Sequence, residues 1–394
     1  MHASWSTFRC GRRFAGPERL GRLGSYVQIP TGVAVCAFVA LVGCGGADSR
    51  VAVLGYAFPM WGTTTVQVAR DEIGGWPADG AAIRIVYDSI IQGDPPDVEV
   101  MRAQRIAETP NLIAVVGHGG SRGSLAAAPI YAAAGIPQIV PTGTSRLLRQ
   151  AGPWAFMLAP DDSTEGALIG RFTAERLGAR RVLLFFTNDE YGVGLRDGVA
   201  AELAARDVAV LDKVGVDPSS DIPTLFEASL RRGIPDVIVV AGRHTETGRV
   251  ARAALGRVPR LRVVAGDGAL LLPVLPDLAG PAADSIYVVA FWLPDAPDSM
   301  SRAFVERFHR VTGHDPAPDD AMNHDALLLL AHAVRAVGPN RVAVRGYLES
   351  LGRTRPPYRG ISGDITFVGT RTPPLVMARL RGGRVVRVTD WPPP

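Results

Sequence analysis

Hydroxyls and glycines crowd the stretch Asn111 to Ser145, NLIAVVGHGGSRGSLAAAPIYAAAGIPQIVPTGTS, with Ser121 near its start and Thr142-Gly143-Thr144 near its end. Gly119-Gly120-Ser121-Arg122-Gly123 fits G-x-S-x-G, the turn that lifts a serine nucleophile above an α/β-hydrolase sheet. His118 precedes it as a conceivable base. Hydrolysis also needs oxyanion donors from an earlier strand-end loop, and Tyr56 to Trp61 offers no HGG-type segment. The remaining histidines are poor partners: His309 and His314 bracket a helix end, and His324 and His332 share a helix face. The hydrolase reading therefore stays as the lesser alternative, no catalytic residue is assigned, and the expectation is a protein that is not an enzyme. His314, Asp315, Asp319 and Asp320 form a Pro-rich loop and helix start without ligand spacing, so neither a metal nor a cofactor is expected.

The elements around these residues explain where they must lie. Leu112 to Val116 is apolar without alternation, as a strand covered on both faces should be. A Gly/Ser loop leads into a small-residue helix, Leu125 to Ala134, which contains Pro129. Gly135 and Pro137 stop that helix before a second strand, Ile136 to Val140. Such strand–helix–strand units cross over right-handedly and place ligands at the carboxyl ends of their strands, where Ser121, Thr142 and Thr144 fall. The alternation continues, with strands expected at Val51 to Gly55, Ile83 to Asp88, Val182 to Thr187, Val208 to Val214, Val237 to Ala241, Arg262 to Gly266 and Ile286 to Phe291. Ser163 with Thr164 and Glu165 reads as the cap and first turn of a helix to Leu177. The fold class is α/β, two doubly wound Rossmann-like lobes joined by several crossings.

The chain resembles the type I periplasmic binding proteins, specifically the leucine/isoleucine/valine-binding family that feeds ABC importers. Gly117-His118 followed by Ser121, then Ala126-Ala127-Ala128-Pro129, Gly135-Ile136-Pro137 and Pro141-Thr142-Gly143-Thr144-Ser145 carry the likeness. Val182 to Tyr191 with Gly192 and Gly194 is similar to the strand that opens the family's second lobe. Trp61-Gly62 sits at the family's aromatic-Gly, and Asp71-Glu72-Ile73 at the end of its first helix. Ala321 to Val337 is similar to the family's return to the first lobe, and Tyr358 to Phe367 to the final strand of the second; the aromatic usual before the Asp of that helix is replaced in Met322-Asn323-His324-Asp325. The resemblance implies lobe 1 over 51–159 and 292–355 and lobe 2 over 160–291 and 356–394.

An α-amino acid presents a carboxylate beside an ammonium, so a site for one needs donors and acceptors side by side. The Ser121 hydroxyl and the Thr144 hydroxyl and N–H can donate to the carboxylate, and the Thr142 carbonyl can accept from the ammonium. The resemblance implies that Asp267, in Ala265-Gly266-Asp267-Gly268, supplies the acid for the ammonium; the bare residues equally allow a turn Asp that holds local N–H groups. Trp61 and Tyr191 align with aromatics that flank the family's ligand, although core packing would also account for them. Arg243 departs from the family, which often has an aromatic there. It either holds a second carboxylate on the ligand or pairs with Glu246 at the surface.

Composition fits a globular, exported chain. A length of 394 residues with 47% apolar and 20% charged residues supports a sizeable core and two domains. The first 43 residues hold Arg9, Arg12, Arg13, Arg19 and Arg22 against Glu18, which accounts for the whole net charge of +4. The rest is neutral and carries no nucleic-acid footprint. Leu41-Val42-Gly43-Cys44 after the apolar run Val33 to Val42 resembles a lipoprotein signal, so 1–43 is expected to be cleaved and Cys44 lipidated, with 44–50 a short linker. The alternative is an uncleaved N-terminal anchor, and the long leader also allows a start downstream of Met1. Of the three cysteines, Cys10, Cys36 and Cys44, only Cys44 would remain. The expected partners are a small-molecule ligand, the membrane through a lipid anchor at the periplasm or outer surface, and the permease subunits of an ABC importer. A ligand-sensing domain without transport is the alternative role.

Overall fold

A computed structural model describes residues 51–59, 62–77, 80–90, 94–368 and 375–391. The expected signal 1–43, the linker with Cys44, and Trp61 lie outside the described residues. The first sheet comprises β1 (Val51–Pro59), β2 (Ala82–Ile90), β3 (Leu112–Gly117), β4 (Gln138–Val140) and β5 (Ala155–Met157), interleaved with helices α1 (Thr63–Gly74), α2 (Pro96–Ala107) and α3 (Ser121–Ala133). Its order is β2-β1-β3-β4-β5, and every pairing is parallel. All six residues of β3 are buried, as its unbroken apolar run requires.

The second lobe opens with α4 (Asp162–Arg171) and runs through β6 (Arg181–Thr187), α5 (Glu190–Ala204), β7 (Ala209–Val216), α6 (Ile222–Leu230), β8 (Val237–Ala241), α7 (His244–Ala254), β9 (Val263–Ala265), α8 (Val274–Ala279) and β10 (Ile286–Ala290). The chain then forms α9 (Ser299–Thr312), α10 (Pro318–Val337), α11 (Arg341–Ser350) and strands β11 (Tyr358–Gly360), β12 (Gly363–Ile365), β13 (Val376–Arg381) and β14 (Arg384–Arg387). The second sheet has the order β14-β13-β10-β9-β8-β6-β7, parallel except for the antiparallel strands β13 and β14. Fifteen of the twenty residues of α10 are buried, so this helix is a core element and not an amphipathic cover.

Two expectations need correction. Tyr358 to Phe367 does not complete the second sheet; β11 and β12 form a separate hairpin. Asp325 on α10 draws it away, accepting the Ile361 and Ser362 N–H groups at 2.8 Å each and the Ser362 hydroxyl at 2.6 Å. The cap of α4 is Asp161 rather than Ser163: its carboxylate accepts the Thr164 N–H and hydroxyl, both at 3.1 Å. An ionised acid at a helix start also gains from the macrodipole, which a serine does not.

Helices α4 and α5 cross on glycine. A Cβ at Gly166 would stand 2.6 Å from the Gly198 and Val199 backbones, so no side chain can yield to admit it. This close crossing holds Glu165 of α4 beneath the end of β9. We expect Gly166→Ala to cost ~2 to 3 kcal/mol in urea unfolding, as overpacking against backbone does; a variant as stable as the parent would show that the crossing is not tight.

Candidate ligand-binding cleft

In a doubly wound sheet the ligand crevice opens where the strand order reverses, at the carboxyl ends of the strands. In the first sheet that point lies between β1 and β3, and in the second between β6 and β8. Both points face one cleft. Phe58 and Pro59 reach it from β1, Ser121 from the turn after β3, Thr142 from the turn after β4, Tyr191 from beyond β6, Arg243 and His244 from beyond β8, and Asp267 from beyond β9. Five residues singled out from sequence thus line one space: Ser121, Thr142, Tyr191, Arg243 and Asp267.

Ser121 is the first residue of α3 and only 2% exposed. Its Oγ accepts the Thr144 and Ser145 N–H groups at 3.2 and 3.1 Å, which leaves its own proton to give. Thr144 is buried behind this serine and its N–H is spent on Ser121, so it positions the donor instead of donating itself. His118 is no base for Ser121. Its Nδ1 lies 2.6 Å from Glu99 and its Nε2 2.9 Å from the Tyr131 hydroxyl, fully buried under α3. Among the described residues no histidine hydrogen-bonds Ser121, and no group of His, Cys, Asp and Glu is arranged to hold a metal ion.

Opposite Ser121 stands a buried acid system. The Tyr191 hydroxyl donates to Asp267 Oδ1 at 2.9 Å and accepts the Gly268 N–H at 3.1 Å, while Glu165 Oε1 accepts the Asp267 N–H at 2.7 Å. Burial first, and Asp267 second, push the Glu165 carboxyl well above the usual range; burial also raises Asp267, offset in part by its hydrogen bonds to Glu165 and Tyr191, so of the two Asp267 gives up its proton more readily. Asp267 is then the more acidic member of the pair, braced from behind. It is not the self-contained turn acid that the bare sequence allowed, because its contacts reach α4 and α5.

Arg243 does not pair with Glu246 at the surface. Its Nη1 donates to Asp189 at 2.6 Å, its guanidinium lies 5.4 Å from the Tyr191 ring centre, and Glu246 takes only its backbone N–H. Pairing with Glu246 at the surface is therefore overturned: the strand end turns the side chain into the cleft, where Asp189, the cap of α5, is the nearer acid. Burial opposes ionisation of Asp189, but Arg243 and the Gly192 N–H outweigh it and hold its carboxyl below the ordinary range. Sequence reasoning missed Asp189, Glu165, His244 and Asp319. The first two carried the visible signal of acids in a helix cap or first turn.

Two doubly wound lobes that bring their switch points to one cleft, with donors on one wall and a carboxyl on the other, define a two-lobed solute-binding protein. The chain belongs to the periplasmic binding protein family, whose model matches residues 78–384, in its type I branch. It is 24% identical over 346 residues to the Leu/Ile/Val-binding protein homolog 1 of Brucella suis, covering 86% of this chain and 91% of that one. It is 25% identical over 246 residues to an amino acid binding protein of Pseudomonas aeruginosa, covering 62% and 66%. Among solved structures, a leucine-binding protein from Thermotoga maritima superposes with a TM-score of 0.76 at 23% identity, covering 86% of this chain and 98% of that one. A solute-binding protein from Rhodopseudomonas palustris solved with benzoate superposes with a TM-score of 0.73 at 18% identity, covering 86% and 95%. At this identity the likeness shows the fold, and the fold does not name the ligand.

Proposed function

We propose that this protein captures an α-amino acid between its lobes and delivers it to an ABC importer. The observation that carries the reading is the opposed polarity of the cleft. The Ser121 hydroxyl and the start of α3 suit a carboxylate, and Asp267 suits an ammonium. Closure over such a zwitterion would shift the lobes toward one conformation that membrane subunits can recognise. Thr142 would line the ligand's backbone end and Tyr191 would cover it, with Trp61 at its outer side by resemblance.

Calorimetry with a panel of amino acids tests this. Ser121→Ala is expected to weaken the best ligand by ~1.5 to 3 kcal/mol, the scale of a hydrogen bond to a charged group. Equal affinity for parent and variant would place the carboxylate elsewhere, and a hydrolytic activity lost in Ser121→Ala would revive the enzyme reading.

The exported form in this reading is a lipoprotein anchored through Cys44. Acyl chains contribute ~0.8 kcal/mol per buried CH₂ to membrane affinity, so Cys44→Ser should move the protein from the membrane to the soluble fraction. A variant that stays with the membrane would refute the lipid anchor.

A further inference from the structure

Asp319 sits in the first turn of α10, where the helix start suits an acid, but its carboxylate is not used to cap the helix. It is the second residue of α10, beside Asp320, and the two acids differ in employment. Asp320 closes the helix start: it takes the Thr65 hydroxyl and the Ala317 N–H. Asp319 lends only its backbone carbonyl, to the Asn323 side chain, and no described residue hydrogen-bonds its carboxylate. Burial, followed by Asp267 and Asp320, pushes that carboxyl up to about 8. Asp319 is half-buried, and an acid partly withdrawn from water with no partner is relieved by what a ligand in the cleft brings.

The shape of the cleft places Asp319 along the ligand's path. The inner cavity between Ser121 and Asp267 measures about 50 Å³. It opens into an outer cavity of about 820 Å³, and the two share four lining residues: Phe58, Leu270, Leu271 and Asp319. Three are an apolar collar, and the fourth is the acid. A carboxylate and ammonium held inside would send a side chain out through this collar, past Asp319.

Charge decides what that side chain carries. Arg243 arrives in the cleft already neutralised by Asp189, and burial keeps His244 below its ordinary pKa and uncharged at neutral pH. Among the described residues no free cation lines the inner cavity to receive an acidic group, and in the outer cavity the one guanidinium, Arg384, stands among four acids, Asp295, Asp315, Asp319 and Asp320. Asp267 is matched by the ligand's α-ammonium, so Asp319 remains over.

Building on the amino-acid reading above, we infer that the ligand is an α-amino acid with a linear side chain ending in a cation. Its methylenes lie in the collar of Phe58, Leu270 and Leu271, and its distal charge pairs with Asp319, which is thus a specificity-determining residue. An apolar branched side chain would fill the collar but leave the acid without a partner.

The test is calorimetry on the full chain with lysine, ornithine, norleucine, leucine and glutamate. Norleucine matches lysine closely but lacks the terminal amine. Lysine or ornithine is expected to bind at least tenfold more tightly than norleucine, and Asp319→Asn to weaken lysine at least tenfold while leaving norleucine unchanged. Norleucine or leucine binding as tightly as lysine and ornithine, or Asp319→Asn weakening lysine and norleucine alike, overturns this inference alone. Binding of none of the five overturns the amino-acid reading together with it. Asp319→Asn keeps the size of the side chain and fixes it neutral, so thermal unfolding of the variant at or above the parent's midpoint separates lost selectivity from lost fold.

Discussion

Asp267→Ala is expected to weaken the protein's best amino-acid ligand by ~2 to 5 kcal/mol, the cost of leaving a desolvated ammonium without its acid. The penalty should exceed that of Ser121→Ala for a reason visible in the cleft. A carboxylate on the first wall loses one donor but keeps the start of α3, whereas Asp267 is the one member of its braced set placed to answer an ammonium. Tyr191 donates to it, and Glu165 receives its N–H. Removing its side chain leaves a neutral Glu165 and a phenol, neither of which answers a cation. Tyr191→Phe should cost less, since it removes one hydrogen bond to Asp267 and no charge. Calorimetry orders the three. Asp267→Ala binding within threefold of the parent would move the ammonium site elsewhere.

Much of this arrangement was legible in the chain. Leu112 to Val116 and Val237 to Ala241 announced themselves by apolar runs without alternation, which only a strand buried on both faces needs, and both are strands. The turn Thr142-Gly143-Thr144 and the glycines around Ser121 marked strand ends, and the doubly wound topology then placed them at a crevice. β13 and β14 were not legible as parts of the second sheet, because β14 is an exposed edge with a weak pattern and β13 interrupts its apolar residues with Arg. β14, Arg384–Arg387, begins and ends in Arg, as an unpaired edge tolerates. Residues acting through tertiary contact were hidden for another reason. Asp189, Glu165 and Asp319 each sit in the first turn or cap of a helix, where an acid has an ordinary local explanation. Only the fold shows that Asp189 meets Arg243 across 54 positions of sequence, that Glu165 meets Asp267 across 102, and that no described residue hydrogen-bonds the Asp319 carboxylate.

The same buried acids govern stability against pH, and Asp162 gives the largest effect outside the ligand site. It is the first residue of α4, fully buried, and neither carboxyl oxygen makes a hydrogen bond of normal geometry. Gly194 of α5 presses on it so closely that a Cβ there would stand 2.1 Å from its Oδ2. Burial pushes its carboxyl up to about 8, the Thr144 hydroxyl offsetting part of the rise and Asp267 adding to it. An acid whose pKa is raised by folding favours the native state while it keeps its proton. Its contribution is complete below the unfolded value of 3.8 and is lost as pH climbs through about 8. Within that window each pH unit removes up to ~1.4 kcal/mol. Asp162→Asn fixes the neutral form, so its unfolding free energy should decline less between pH 5 and pH 8, the gap to the parent widening by ~2 to 4 kcal/mol. Urea titrations at pH 5, 6.5 and 8 measure this directly. Parallel profiles for parent and variant would mean that Asp162 is ionised in the folded protein and that water, or the Thr144 hydroxyl, satisfies it better than its burial implies.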